Sequence, residues 1–224
     1  KMHQRKSKKV LIYFFLLILV SSIGNNSINN FKFKKIENIK IFGLDQKSNQ
    51  ILLNKFKNLS LENIFFINKK EIEKLFNSNS LIERYTIFKE YPSTINIKIE
   101  KTNFLAKISN NGKIFLIGSN GKLTLIESGY DDLPFIFGKP DIDEFIKLKK
   151  KIDMSLFSYD QINKMYFFPS RRWDLKLHDN ILLKLPENLT LEILNNIHEF
   201  LENYSGENLT TLDARLNNKF ILNE

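Results

Sequence analysis

Three histidines, at positions 3, 178 and 198, are the side chains best suited to proton transfer or metal ligation, and the chain has no cysteine. Without thiols there is no disulfide framework, thiolate metal site or cysteine nucleophile. The histidines do not form a metal-ligand spacing with one another. No G-x-S-x-G, H-E-x-x-H, Walker or dinucleotide fingerprint occurs. Gly118 to Thr124 comes nearest to a phosphate loop, but Leu123 stands at the Ser/Thr position and the first Gly is wrongly spaced. It reads as a hairpin turn. Asp131-Asp132 lies in a turn-like stretch where solvated carboxylates are the rule, and a glycosidase pair would have to be assembled by the fold. His198 lies beside an apolar helical stripe and reads as a surface or boundary histidine. These residues point away from catalysis: no enzyme, no cofactor and no metal is expected.

Charge is the remaining resource. The formal net charge is +9, which can suit nucleic acid or an acidic membrane surface. The lysines, however, are scattered beside Glu and Asp, and Lys, Asn, Ile and Phe are abundant throughout, as an AT-rich genome would write them. Only the first nine residues form a dense basic block. Neither nucleic acid nor a small-molecule substrate is expected.

The elements that would position any site begin with an apolar segment. Lys1, Arg5, Lys6, Lys8 and Lys9 precede Val10, Leu11, Ile12, Tyr13, Phe14, Phe15, Leu16, Leu17, Ile18, Leu19 and Val20. Ser21, Ser22 and Ile23 extend this run weakly, and Gly24-Asn25-Asn26 ends it. A full span takes about 20 apolar residues, and this run is shorter. It suits a cleaved signal peptide or an uncleaved signal-anchor. No small-x-small site with Ala follows, and we take the anchor, with 1–9 a basic cytoplasmic head and 10–28 a transmembrane signal-anchor. Everything beyond is then exported. Lys32, Lys34 and Lys35 follow the run, but long soluble domains translocate largely regardless of charge.

Two modules are expected beyond it, over 31–108 and 109–224. In the first, Ile39 and Ile41 alternate with polar neighbours up to Gly43, a short strand and turn. Ile51, Leu52, Phe56 and Leu59 make a helical stripe over 50–59. Asn68 with Glu71 is a capping box for a helix carrying Ile72, Leu75 and Phe76, which stops at Asn77-Ser78-Asn79. Tyr85 and Ile87 share a face of one strand, Ile95, Ile97 and Ile99 a face of the next, and Tyr91-Pro92-Ser93-Thr94 joins them. Strand-helix-helix-strand-strand is a compact α+β order. In the second module, Asn111-Gly112 and Asn120-Gly121 are hairpin turns. A helix is predicted over 141–153, a strand at 166–168 and a hairpin from Arg171 to Pro186. A helix capped by Thr190 runs to Tyr204. Leu212–Leu216 and Lys219–Leu222 form a last hairpin around Asn217-Asn218, its final strand a candidate free edge. The expectation is a β-rich domain with an antiparallel sheet and flanking helices.

These strings carry a resemblance. Ile39-Lys40-Ile41-Phe42-Gly43-Leu44, Asn63-Ile64-Phe65-Phe66-Ile67, Leu81-Ile82-Glu83-Arg84-Tyr85 and Tyr91-Pro92-Ser93-Thr94-Ile95 to Lys101 resemble a POTRA domain, with Asn103 where that family usually has Pro. Further on come Leu133-Pro134-Phe135-Ile136-Phe137-Gly138, Arg171-Arg172-Trp173-Asp174-Leu175 to Pro186, and Leu212-Asp213-Ala214-Arg215-Leu216. In this order they resemble the FtsQ (DivIB) family of bacterial cell-division proteins. Gly118 stands where that family often has Asp, and Ala214 replaces a common Leu.

The resemblance implies a non-enzymatic scaffold of the divisome, at the septum, in the inner membrane with its domains in the periplasm. It implies FtsB, with FtsL, as partners among the membrane-anchored division proteins. FtsB would add a strand to the final edge, with Arg172, Arg215, Leu216, Lys219, Phe220, Ile221 and Leu222 at the interface. For both arginines the alternative is a surface arginine or a stacking partner of Trp173, equally weighted for Arg172. The rivals are a POTRA-bearing export or outer-membrane assembly factor, for which the repeats and barrel strands are missing, and a secreted binding protein with a cleaved signal.

Overall fold

The computed structural model describes residues 3–23, 35–59, 64–65, 67–125, 129–206, 208–216 and 219–223, with side chains over 8–22 in the first segment. The side chains of Lys1, His3, Arg5 and Lys6, the Gly24-Asn25-Asn26 stop, Lys32, Lys34, Asn63, Phe66 and the Asn217-Asn218 turn lie outside the described residues.

Helix α1 (His3–Ile23) carries the apolar run. Its side chains from Val10 to Val20 are all exposed, from 44% at Leu19 to 70% at Val20. The run is bounded by Lys8 and Lys9 on one side and by Ser21 and Ser22 on the other. Those two hydroxyls donate back to the carbonyls of Ile18 (3.0 Å) and Leu19 (2.7 Å). At 1.5 Å per residue such a run rises about 16 Å, roughly half the ~30 Å of a hydrocarbon core. Among the described residues no helix is long and apolar enough to cross a membrane. This corrects the expected transmembrane signal-anchor over 10–28: the helix is there, but its apolar length falls short.

The small sheet unit follows the expected order. Strand β1 (Asn38–Phe42) leads to α2 (Gln46–Lys57) and α3 (Lys69–Asn77), then to β2 (Ile82–Glu90) and β3 (Thr94–Lys101). The sheet order is β1-β3-β2, with β1 parallel to β3 and β2 antiparallel to it. A parallel pair needs a crossover, and the two helices supply it. Helix α2 starts four residues before the predicted stripe, because Asp45 caps it by accepting from the Ser48 amide at 2.9 Å. At α3, Asn68 Oδ1 accepts from the Lys70 amide (3.2 Å) while its amide nitrogen donates to Glu71 (2.9 Å), a side-chain variant of the expected box. Leu52, Phe56, Ile72 and Phe76 pack on Ile95, Ile97 and Ile99, all buried. Gly43 has φ +122°, and a Cβ there would sit 1.9 Å from the Ile99 carbonyl oxygen, so only glycine lets the chain leave β1.

The larger sheet has nine strands: β4 (Phe104–Asn110), β5 (Lys113–Gly118), β6 (Leu123–Leu125), β7 (Phe135–Phe137), β8 (Ile162–Phe167), β9 (Trp173–Leu177), β10 (Leu182–Lys184), β11 (Thr211–Leu216) and β12 (Lys219–Asn223). Their order is β12-β11-β10-β9-β8-β7-β4-β5-β6. The expected antiparallel sheet is instead mixed. Strand β7 pairs in parallel with both β4 and β8, and β10 pairs in parallel with β11. Helix α4 (Ile142–Asp153) bridges β7 to β8 and α5 (Leu191–Asn203) bridges β10 to β11, while β5 and β6 lie between β4 and β7, so each parallel pair has the crossover it needs. Both helices lie on one face, over Ile108, Ile136, Met165, Leu175, Leu183 and Leu212. The α+β class is therefore as expected.

The change from small to large sheet falls at Thr102 and Asn103, where side chains tie the units together. Glu83 accepts from the hydroxyls of Thr102 (3.0 Å) and Ser119 (2.8 Å). The Asn120 amide nitrogen donates to the carbonyls of Ser80 (3.0 Å) and Ile82 (2.9 Å). The would-be phosphate loop is thus the β5–β6 turn, clasping the start of β2.

Candidate partner-binding edge

Among the described residues, strand β12 ends the large sheet and has a neighbour only on its β11 side. Its other side offers unpaired backbone groups, the usual template for an added strand. Period-two alternation divides its side chains between the two faces. Leu222 pairs across Leu212 on the helix-covered face, and Ile221 pairs across Asp213 on the open face. Ile221 is 53% and Leu222 40% exposed. Phe220 differs from expectation. It is half-buried, its ring edge-on to Phe200 of α5 at 5.4 Å, so it supports the strand from behind. Between α5 and the β11–β12 hairpin lies a groove of ≈ 780 Å³, floored by Ile193, Phe200, Ala214 and Phe220. Leu216 (54% exposed) and Lys219 stand at its rim.

The two arginines lie on the open face, each held by the carboxylate two residues away. Arg215 Nε donates to both Asp213 oxygens at 2.8 and 2.9 Å, with a second contact from its terminal nitrogen. Arg172 Nε donates to Asp174 at 3.3 Å, and its guanidinium sits 4.5 Å above the Phe168 ring. The alternative of stacking on Trp173 is corrected: the ring under Arg172 is Phe168. Trp173 itself is buried against Phe167. Asp174 pairs across Lys184, and Lys184 across Asp213. Arg172, Asp174, Lys184, Asp213 and Arg215 therefore form one cross-strand charge row running toward β12. Burial raises the Asp174 carboxyl above its usual range, against the pull of Arg172. The Arg215 hydrogen bond holds Asp213 below it. Neither aspartate nor Lys184 was singled out from sequence. The i, i+2 spacing of Arg172 with Asp174, and of Asp213 with Arg215, is the signal that could have found them.

The other candidates do not converge. His178 is in an exposed turn, and His198 on α5 lies 3.4 Å from Glu202. Among the described residues no group of three His, Asp or Glu side chains is placed to hold a metal ion.

Comparison with known proteins follows the same division. The family description "POTRA domain, FtsQ-type" matches residues 34–101. The description "Cell division protein FtsQ/DivIB, C-terminal" matches residues 99–215, just over half of the chain. The chain belongs to the FtsQ/DivIB family. Cell division protein FtsQ of Rickettsia bellii (strain RML369-C) is 25% identical over 205 residues, covering 84% of this chain and 72% of that protein. A solved structure, the major extracytoplasmic domain of the cell-division protein DivIB from Geobacillus stearothermophilus in its trans isomer, is 15% identical with a TM-score of 0.32. It covers 46% of this chain and 88% of its own. At that score the likeness carries no weight. As a member of the FtsQ/DivIB family, the chain has a role in bacterial cell division.

Proposed function

We propose that this FtsQ/DivIB chain is a non-enzymatic scaffold of the divisome that binds FtsB, in complex with FtsL, by strand addition at β12. The free side of β12, with Ile221 and Leu222 exposed beside Arg215, carries this reading. An added strand would gain backbone hydrogen bonds from the edge and register from the side chains on its two faces. Those on the open face would meet the end of the charge row at Arg215, which stays 41% exposed beside Asp213 and can take a further acidic residue.

Helix α1 supports a place at the inner membrane. Its apolar run is exposed on every side from Val10 to Val20 among the described residues, and such a surface has lipid as its natural solvent. The basic block before it suits an anionic inner-membrane surface, with the two sheet units beside the bilayer at the septum.

Replacing Ile221 with Asp tests the edge. Ile221 is exposed, so the fold should hold, while co-purification with FtsB and FtsL should fall at least tenfold. Undiminished capture by a folded variant would remove strand addition at β12.

A further inference from the structure

The small sheet unit has two unlike ends. At one, β3 passes through Thr102 into the large sheet, and Gly43 and the Asn79–Leu81 turn lie alongside. At the other, the chain arrives from α1: the Glu37 amide donates to the Ser93 carbonyl (2.9 Å), and Asn38 pairs with Thr94. That second end carries aromatic rings turned to solvent. Phe65, from the α2–α3 connection, and Tyr91, from the β2–β3 turn, are 53% and 59% exposed and lie 5.3 Å apart. Phe88, three residues before Tyr91, is 51% exposed. Neither ring of the pair contributes to the core, which Ile64, Phe56 and Phe76 fill without them. Exposed Lys35, Lys55, Lys57, Lys69, Lys70 and Lys89 lie on the segments meeting at this end. Among the described residues there they face three glutamates: Glu37, Glu71 and Glu90. These accept hydrogen bonds from Ser93, Asn68 and Asn96.

We propose that this end is a lipid-contact foot, with Phe65 and Tyr91 seated among the headgroups of an anionic bilayer and the lysines around them facing lipid phosphates. The inference rests on the reading of α1 as the membrane anchor. The amphipathic Tyr91 ring favours the headgroup level, where its apolar body and polar hydroxyl are both satisfied, and the wholly apolar Phe65 ring beside it adds area to bury at the acyl boundary. Lysines beside them gain from the negative surface potential. The described chain resumes at Lys35 and enters β1 from this end, so this end, and not the junction end, is the one that follows α1 in the sequence. The foot would set the small unit upright and carry the β12 edge away from the bilayer.

Because the chain has no cysteine, single-cysteine variants of the full chain can carry an environment-sensitive fluorophore. Tyr91→Cys, Phe15→Cys in α1 and Lys47→Cys at the junction end would be placed in vesicles of phosphatidylglycerol and phosphatidylethanolamine containing nitroxide lipids. The expected result is a blue-shifted label at 91, quenched at least twofold, an unquenched label at 47, and weaker quenching at 91 in phosphatidylcholine vesicles. A label at 91 that stays unquenched while that at 15 is quenched overturns the foot, leaves the anchor standing and assigns the aromatic pair to a protein partner. An unquenched label at 15 overturns the anchor reading, and the foot with it. Equal quenching at 91 and 47 also overturns the foot, since no one end would then be facing lipid.

Discussion

Asp174 and Asp213 share one face of the large sheet, yet their surroundings act in opposite senses. Asp213 is held below an unfolded value of about 3.9 by Arg215. Its contribution to stability is therefore complete above the unfolded value and lost as pH falls through the folded one. Asp213→Asn should lower the urea midpoint at pH 7, by the equivalent of about 1 kcal/mol, and the gap to the unsubstituted protein should close as pH is taken toward 3. A gap that stays constant with pH would contradict this. Asp174 is raised, chiefly by burial. For such a carboxyl the folded state favours the proton, a gain present below the unfolded value and lost as pH rises through the folded one. Asp174→Asn at pH 7 should leave the midpoint unchanged or raise it. Gly118 makes a similar local point. A Cβ there would meet Asn120 Oδ1 at 2.7 Å and Thr102 Oγ1 at 2.8 Å. An Asp in its place would also bring a second carboxylate close to Glu83, so the departure from the family pattern fits the polar junction in this chain.

Among the elements, legibility followed the range of the forces involved. The helices could be read because their signals are local: Asn68 and Thr190 do accept from the amides two and three residues on, and the stripes they precede do face the core. The Asn111-Gly112 hairpin was likewise legible, since both residues have positive φ. Strand β7 was harder. Its three residues sit inside a quoted motif but show no alternation longer than Phe135-Ile136-Phe137, and their strand state comes from parallel partners on both sides. Arg172 and Arg215 could be named, but the charge row that joins them depends on β10 lying between β9 and β11, a register no local pattern contains. Phe220 was misplaced for the same reason, because Phe200 is distant in the chain. Gly43 belongs to this scale as well, since it decides whether β1 can hand over to α2. Gly43→Ala should destabilise the small unit by at least about 2 kcal/mol, from the strained φ alone, seen as a clear fall in thermal midpoint. An unchanged midpoint would mean that the turn has another conformation open to it.

At the scale of the whole molecule, the Glu83, Thr102, Ser119 and Asn120 network ties the two sheets to each other and should couple their unfolding. Each sheet has a separate core, so coupling must pass through these few contacts. Asn120→Ala removes both bonds to the Ser80 and Ile82 carbonyls and should weaken the junction by roughly 1–2 kcal/mol. Calorimetry should then show one thermal transition dividing into two. A single transition at an unchanged temperature would show that the junction does not couple the units.

The place of β12 in the chain has a consequence for biosynthesis. It follows every other element of the large sheet, and its neighbour β11 is positioned only after α5 has crossed back beside β10. Synthesis runs from β4 to β12, so the sheet grows toward this edge and cannot present it in a half-made chain. The opposite edge, β6, is finished early and is only three residues long. A ribosome-bound intermediate would instead expose β10 or β11, which the finished sheet covers. The free edge thus forms only once β12 has been made, and anything that recognises it selects molecules in which every strand of this sheet is in place.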